Sequence, residues 1–449
     1  MKRIAWLLTL WLAGSGWTLA DTNGLETIFD SAGAVWKLDA DNFLTQYREF
    51  GFHWVAANNQ DAAATTRPAL TFAGLPVLET IARFEQKTLK ELTTSLYNRG
   101  DAGELDEADF QKLIAHVDTN LTTWAGAKGV LFKGQERTAS VTLQRKSWIK
   151  GPHRIDLVWS FSEKSRSVTE PRPEFARLLV TPFDPVHDPR NQIIPNIAPS
   201  QPKHISTTEL KARVKHESTG DVVITGVPMV DQGKKGYCAD AVAERLLRYY
   251  GRTLDQHEIA QLANTSTGGG TNPEQLVAAL RHISDETHMD VNVLLREFNA
   301  REFEQLMSDY NRAAKKAHKS EVEFMHRQGN VNFIDSPITV YRDMDPALLK
   351  EVRLKHNSQM TKFTSAITEH INNGVPVAWD CVIGVVKEKP EIKSVGGHMR
   401  LIIGYNDRSQ EILYTDTWGA GHELKRLSLA DAWTITFSLY SLQPNDLNF

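Results

Sequence analysis

In the second half of the chain, apolar residues recur at helical spacing before the period drops to two. "CADAVAERLLRYY", from Cys238, puts Ala239, Val242, Ala243, Leu246 and Tyr250 on one face, and Gly251 ends the run. "TNPEQLVAALRHI" predicts a helix with Asn272 as its cap and Pro273 as its first residue. A charged helical section covers about 299–324, and "SQMTKFTSAITEHINNG" predicts a helix stopped by Asn373 and Gly374. Four segments then read as strands: "VPVAWDCVIG", "HMRLIIGYN", "EILYTDTW" and "WTITFSLYSL". Helices followed by strands predict an α+β domain.

The first half mixes the two periods. "DADNFLTQYREFGFHWVA" predicts a helix capped by Asp39 or Asp41. "LPVLETIARFEQKTLKELTTSLYNRG" carries Leu78, Ile81, Phe84 and Leu89 at helical spacing, with Gly100 as a stop. "TASVTLQRKSW", "HRIDLVWSFSE" and "FARLLVTPF" alternate and read as strands. A mixed N-terminal domain over 21–183 is therefore expected. Five prolines between Asp184 and Thr207 mark a linker over 184–207, since each fixes φ and removes a donor. The second domain is expected over 208–449. "NRGDAGELDEADF" fails as a calcium loop: its third and fifth positions are Gly100 and Ala102, and it ends on the short Asp109. It reads instead as an acidic helix start.

Composition changes the picture at three points. The basic, then apolar opening "MKRIAWLLTLWLAGSGWTLA" reads as a signal peptide over 1–20, cut after Ala20. That predicts a secreted or periplasmic product with no stable membrane anchor. A formal net charge of -4 predicts no general affinity for nucleic acid. Two cysteines in 449 residues cannot form a disulfide framework, although one bridge between Cys238 and Cys381 could close.

Cys381 lies in an apolar strand and reads as a buried structural thiol. Cys238 opens a helix behind a glycine-containing turn, where unpaired N–H groups and the helix dipole favour a thiolate. Gln232, across that turn, offers an amide for a developing oxyanion. A thiol nucleophile needs a base, and the base an orienting group. His398 opens a strand after two glycines, "NDRSQ" suits a tight hairpin at Asn406 and Asp407, and the returning strand brings Asp416. His282, His288 and His422 read as surface or structural, Trp418 and Trp433 as core. Gly268, Gly269 and Gly270 read as a turn before the Asn272 cap.

"QGKKGYCADA", "GGHMRLIIGYN" and "YTDTWG", in the order Gln, Cys, His, Asp, resemble papain-like cysteine peptidases, most of all the C39-like branch of bacterial secreted and exporter-linked proteins. The resemblance covers the C-terminal domain only. It implies a papain-like fold, helical part first and antiparallel sheet after, a peptide or protein substrate, and neither metal nor cofactor. It implies Cys238 as nucleophile, His398 as base, Asp416 as orienting group under Trp418, and Gln232 with the Cys238 N–H as oxyanion donors. Ala239 stands where papain-like enzymes usually carry Trp. A transglutaminase-type acyl transferase and an inactive peptidase-like binding module remain as alternatives.

Overall fold

The structure, a computed structural model, describes residues 24–447 except 30–32, 58–60, 68, 133–135, 139–140, 163–170, 185–204, 267–269, 297–299, 329–330 and 356. The signal-peptide segment, most of the proline-rich linker, and Gly268 and Gly269 lie outside the described residues. Among the described residues no helix is long and apolar enough to cross a membrane. The chain divides into two compact units. One takes in 1–201 with 234–236 and 260–270; the other takes in 202–233, 237–259 and 271–449.

The first unit is an antiparallel sheet with a helix on one face. Helix α1 (Ala40–Gln46) is capped by Asp39, which accepts from the Asn42 N–H at 2.9 Å. The segment expected as a helix after Leu75 is instead a hairpin, β1 (Glu79–Glu85) and β2 (Thr88–Asn98). Gln86 and Lys87 both have positive φ, the signature of a two-residue turn that matches strand twist. Thr80, Ala82 and Phe84 are buried on alternate positions. The β-branched threonines that follow also favour strand over helix, so the apparent helical spacing of leucines was coincidental. Helix α2 (Glu107–Ala125) starts acidic, as expected, with Asp106 capping the Asp109 N–H at 2.8 Å. Its Phe110, Val117 and Leu121 are buried in the unit's core. The three expected strands form as β3 (Val141–Lys150), β4 (His153–Ser162) and β5 (Arg172–Pro182), in the spatial order β1-β2-β5-β4-β3.

The second unit carries helices first. Helix α3 (Cys238–Tyr249) ends where expected, with Gly251 at φ 75°, a conformation a side chain would strain. Helix α4 (Pro273–His282) has Asn272 as its cap, accepting from the Glu274 N–H. Strand β6 (Met289–Arg296) precedes α5 (Ala300–Lys316), which is shorter than the charged section suggested. Helix α6 (Asn357–Asn372) leads into β7 (Val377–Ile383), β8 (Gly396–Asn406), β9 (Glu411–Thr415) and β10 (Lys425–Ser428). Trp433 belongs to a helix, α7 (Leu429–Ile435), and not to the expected strand; β11 begins only at Thr436 and ends at Pro444. Ser428 accepts from the Asp431 N–H and caps this turn, which the apolar run of 433–442 concealed. The sheet is antiparallel, ordered β8-β7-β11-β6, with β9 on the other edge of β8 and β10 beyond it.

Candidate active site

Cys238 begins α3, and the preceding Tyr237 makes no side-chain cap to that helix. The first-turn N–H groups are therefore uncapped by the residue that most often satisfies them. Cys238 is partly exposed, Cys381 fully buried, and both thiols are free, so no bridge joins them.

Cys381 lies opposite His398 in the β7–β8 pair, and its Sγ points at the His398 carbonyl at 3.5 Å. Burial pushes this thiol well above its usual range. It is a structural thiol, as its strand position suggested.

His398 and Asp416 meet through the β8–β9 hairpin. Asn406 shapes the turn by accepting from the N–H groups of Arg408 and Ser409. Asp416 follows β9 directly, and its Oδ1 lies 2.6 Å from His398 Nε2. The Cys238 side chain acts on the same ring and helps it hold its proton. Burial alone would lower the proton affinity of this ring, but Asp416 and Cys238 more than offset it, and the pKa is raised. Asp416 has no exposed surface. Burial favours its neutral form, yet the His398 bond and the charges of Arg400, His398 and Lys425 hold it well below the carboxylate range.

Trp418 is half-buried and not core: its ring stacks on His398, centroids 4.6 Å apart and planes inclined by 18°. It shields the His398–Asp416 bond from water, the cover that the "DTWG" resemblance implied. Gly419, at φ 74°, follows so closely on Asp231 that a Cβ would lie 2.7 Å from its carboxylate. Trp433 is fully buried, as expected.

Gln232 is tied to the same loop. Its N–H donates to the Thr417 carbonyl at 2.9 Å, and its Oε1 accepts from the Thr417 hydroxyl at 2.6 Å. With Oε1 occupied, the amide's N–H groups turn the other way. Arg245 fastens the helix of Cys238 to the segment of Asp416. It donates from Nε to the Pro228 carbonyl at 2.7 Å, from Nη1 to the Asp416 carbonyl at 2.7 Å, and from Nη2 to Thr415 Oγ1 at 2.8 Å. His422 supports the loop through its carbonyl, which accepts from the Asp416 N–H at 3.0 Å.

All four residues singled out from the sequence thus lie in one unit, where His398 bonds Asp416 and its pKa is raised by both Asp416 and Cys238. Residues 224–438 match the Peptidase_C39 like family. This C39-like region takes in Cys238, His398, Asp416 and Gln232, and the match supports a cysteine peptidase. Xylellain, a cysteine protease from Xylella fastidiosa, is a solved structure with similarity at 11% identity over 56% of this chain and 94% of that one, with a TM-score of 0.26. No curated protein matches the chain.

The C39-like region also holds charged neighbours that the motifs did not flag. Arg400, Lys425 and Glu388 are buried beside Asp416. Arg400 stands two residues after His398 on a strand, so period two already places both on one face. Nothing in the sequence brings Glu388 or Lys425 to them. Asp380, on β7, has its carboxyl raised to about 7 by burial, against the opposing pull of His398.

Proposed function

We propose that this protein is a secreted thiol peptidase that hydrolyses peptide or related amide bonds. The supporting observations are the His398–Asp416 bond and the action of the Cys238 side chain on the same ring. Cys238 attacks the carbonyl carbon as thiolate, and His398 holds the proton. The tetrahedral oxyanion is met by the Cys238 N–H and the Gln232 amide. His398 then protonates the leaving amine, and the carbonyl stays on sulfur as a thioester. Water, deprotonated by the same ring, attacks the thioester; the acid leaves and the thiol is restored. Asp416 fixes the ring with Nε2–H inward and supports its positive charge. The proposed export rests on the first twenty residues.

The test is cleavage of a peptide library by the mature protein and by Cys238→Ala, with products identified by mass. Cleavage lost in the variant supports the reading. Equal cleavage by both sinks it. An added amine that captures the acyl group in place of water would redirect the reading to acyl transfer.

A further inference from the structure

Resting on that reading, we propose that Arg400 is a positioning residue for the reaction. Clamped between Glu388 and Asp416, it holds the Asp416 carboxylate ionised against His398 and sets how tightly the ring keeps its proton. Arg400 Nε lies 3.3 Å from Asp416 Oδ1, and Nη2 lies 2.9 Å from Glu388 Oε2. Both Arg400 and Glu388 side chains are entirely shielded from solvent. Tyr414 donates its hydroxyl to Glu388 Oε2 at 2.5 Å. The guanidinium also sits 4.8 Å from the ring centroid of Tyr414, 5.7 Å from Trp379 and 5.9 Å from Trp418, the ring that stacks on His398.

The physical argument starts from the short Asp416–His398 bond. In a dry site the attraction between carboxylate and imidazolium is strong, because little water screens it. A guanidinium stays charged under any working condition. Placed on Asp416, it keeps the carboxylate anionic through both states of the ring, while Glu388 and the aromatic faces balance its own burial. Arg400 also draws part of the Asp416 field away from His398. The ring is then held firmly enough to stay protonated beside a thiolate, and loosely enough to give that proton to a leaving amine. The other titratable or charged groups around this centre are Cys238 and Arg245 on α3, Asp380 and Cys381 on β7, Tyr414 on β9, Lys425 on β10, and His422 and Glu423 in the loop after Asp416.

The sign of the effect is fixed by charge. Arg400→Gln removes a cation near the ring and leaves Glu388, so His398 should keep its proton to higher pH, by about one unit. Glu388→Gln leaves Arg400 unopposed, so the titration should move the other way. Arg400→Lys keeps the charge without the fork and should titrate near the parent. The ring is titrated by NMR of its carbon-bound protons in the full mature chain, a readout that needs no turnover. The pH dependence of Cys238 alkylation is followed in parallel. In peptide hydrolysis, Arg400→Gln should lose about tenfold in kcat with KM little changed, and Arg400→Lys should recover part of it.

Opposite-signed shifts for the two charge-removing variants support the proposal. Shifts of one sign, or none, overturn it, since a merely structural arginine would not make the sign follow the charge removed. If Arg400→Gln fails to fold, Glu388→Gln decides alone: a titration moved to lower pH, with Arg400→Lys near the parent, supports the proposal, and a move to higher pH or none overturns it. Because the ring titration is separate from cleavage, an inactive parent would overturn the peptidase reading while the titrations still judged Arg400.

Discussion

Among the described residues, the C-terminal unit contains two histidine–aspartate pairs of nearly equal length in very different places. His398 Nε2 and Asp416 lie 2.6 Å apart in the sheet interior, with side chains 4% and 0% exposed. His326 Nε2 and Asp335 lie 2.7 Å apart on the hairpin of 325–334 and the residue after it, at 51% and 32% exposed. Distance alone does not separate them. The interior pair has the Cys238 side chain acting on its ring, an indole stacked over it, and two cations on its carboxylate. The surface pair has Glu323 at 3.7 Å from its other ring nitrogen and is open to solvent. The difference teaches that a bond of this kind becomes chemically useful through exclusion of water and through its next neighbours. At the surface, high dielectric and side-chain freedom cancel most of the same attraction.

The largest expected contrast is in cleavage. His398→Ala should lower peptide hydrolysis by about 10²-fold or more, the usual worth of a positioned acid–base group. His326→Ala should leave it unchanged. Comparable losses in folded variants would break the distinction between the two pairs.

Next in size is the contrast between the two thiols. Iodoacetamide at mildly acidic pH should modify Cys238 and spare Cys381, as read by peptide mapping. Cys238 is partly exposed beside His398, whereas Cys381 is buried and its thiol held protonated. Equal labelling would mean that the interior pair does not activate sulfur.

The third contrast is in stability. Asp416→Asn strips the counter-charge from buried Arg400 and Lys425 and should cost about 3–5 kcal/mol at neutral pH. Asp335→Asn should cost less than about 1 kcal/mol. Chemical denaturation at fixed pH measures both. From the sequence, Asn at 416 should keep more turnover than Ala, because its oxygen can still accept the ring proton. Both substitutions remove the charge that Arg400 and Lys425 meet, so their costs in stability should be similar. The pH sign follows. Asp416 is held below its unfolded value, so its contribution is complete above the ordinary carboxylate range and fades as pH falls through the folded value. Asp416→Asn should therefore be least costly, relative to the parent, in strong acid.

The smallest effect sharpens the exposed side. Raising salt to about 1 M shortens the screening length to about 3 Å and should erase any difference between Asp335→Asn and its parent. The cost of Asp416→Asn should persist, since screening ions do not enter a dry site.

Elements whose signals were local were legible in the chain. Helix α3 and its Gly251 stop, the Asn272 cap, the end of α6 and strands β3–β5, β7, β8 and β9 all follow from caps, periodicity and turn residues. The hairpin of β1 and β2 reads as a helix in the sequence, because Leu78, Ile81, Phe84 and Leu89 fall at helical spacing by chance across a strand, a turn and the next strand. Trp433 was misread because one short capped turn sits inside an apolar run.

The candidate site divides in the same way. Cys238, Gln232, His398 and Asp416 were singled out because nucleophile, amide, base and acid each leave a mark in neighbouring residues: a helix start, glycines, a hairpin. Sequence by itself determined these residue types and their order, and the strand period that puts Arg400 on the face of His398. Only the tertiary structure decided that Glu388, Arg400, Tyr414 and Lys425 converge on Asp416, that Trp418 lies over the imidazole, and that Arg245 joins the Cys238 helix to the Asp416 segment. The physical reason is range. Caps, turns and periodicity act over a few residues. A buried charge is compensated by whatever groups the fold brings within a few ångströms, and their separation along the chain leaves no local trace.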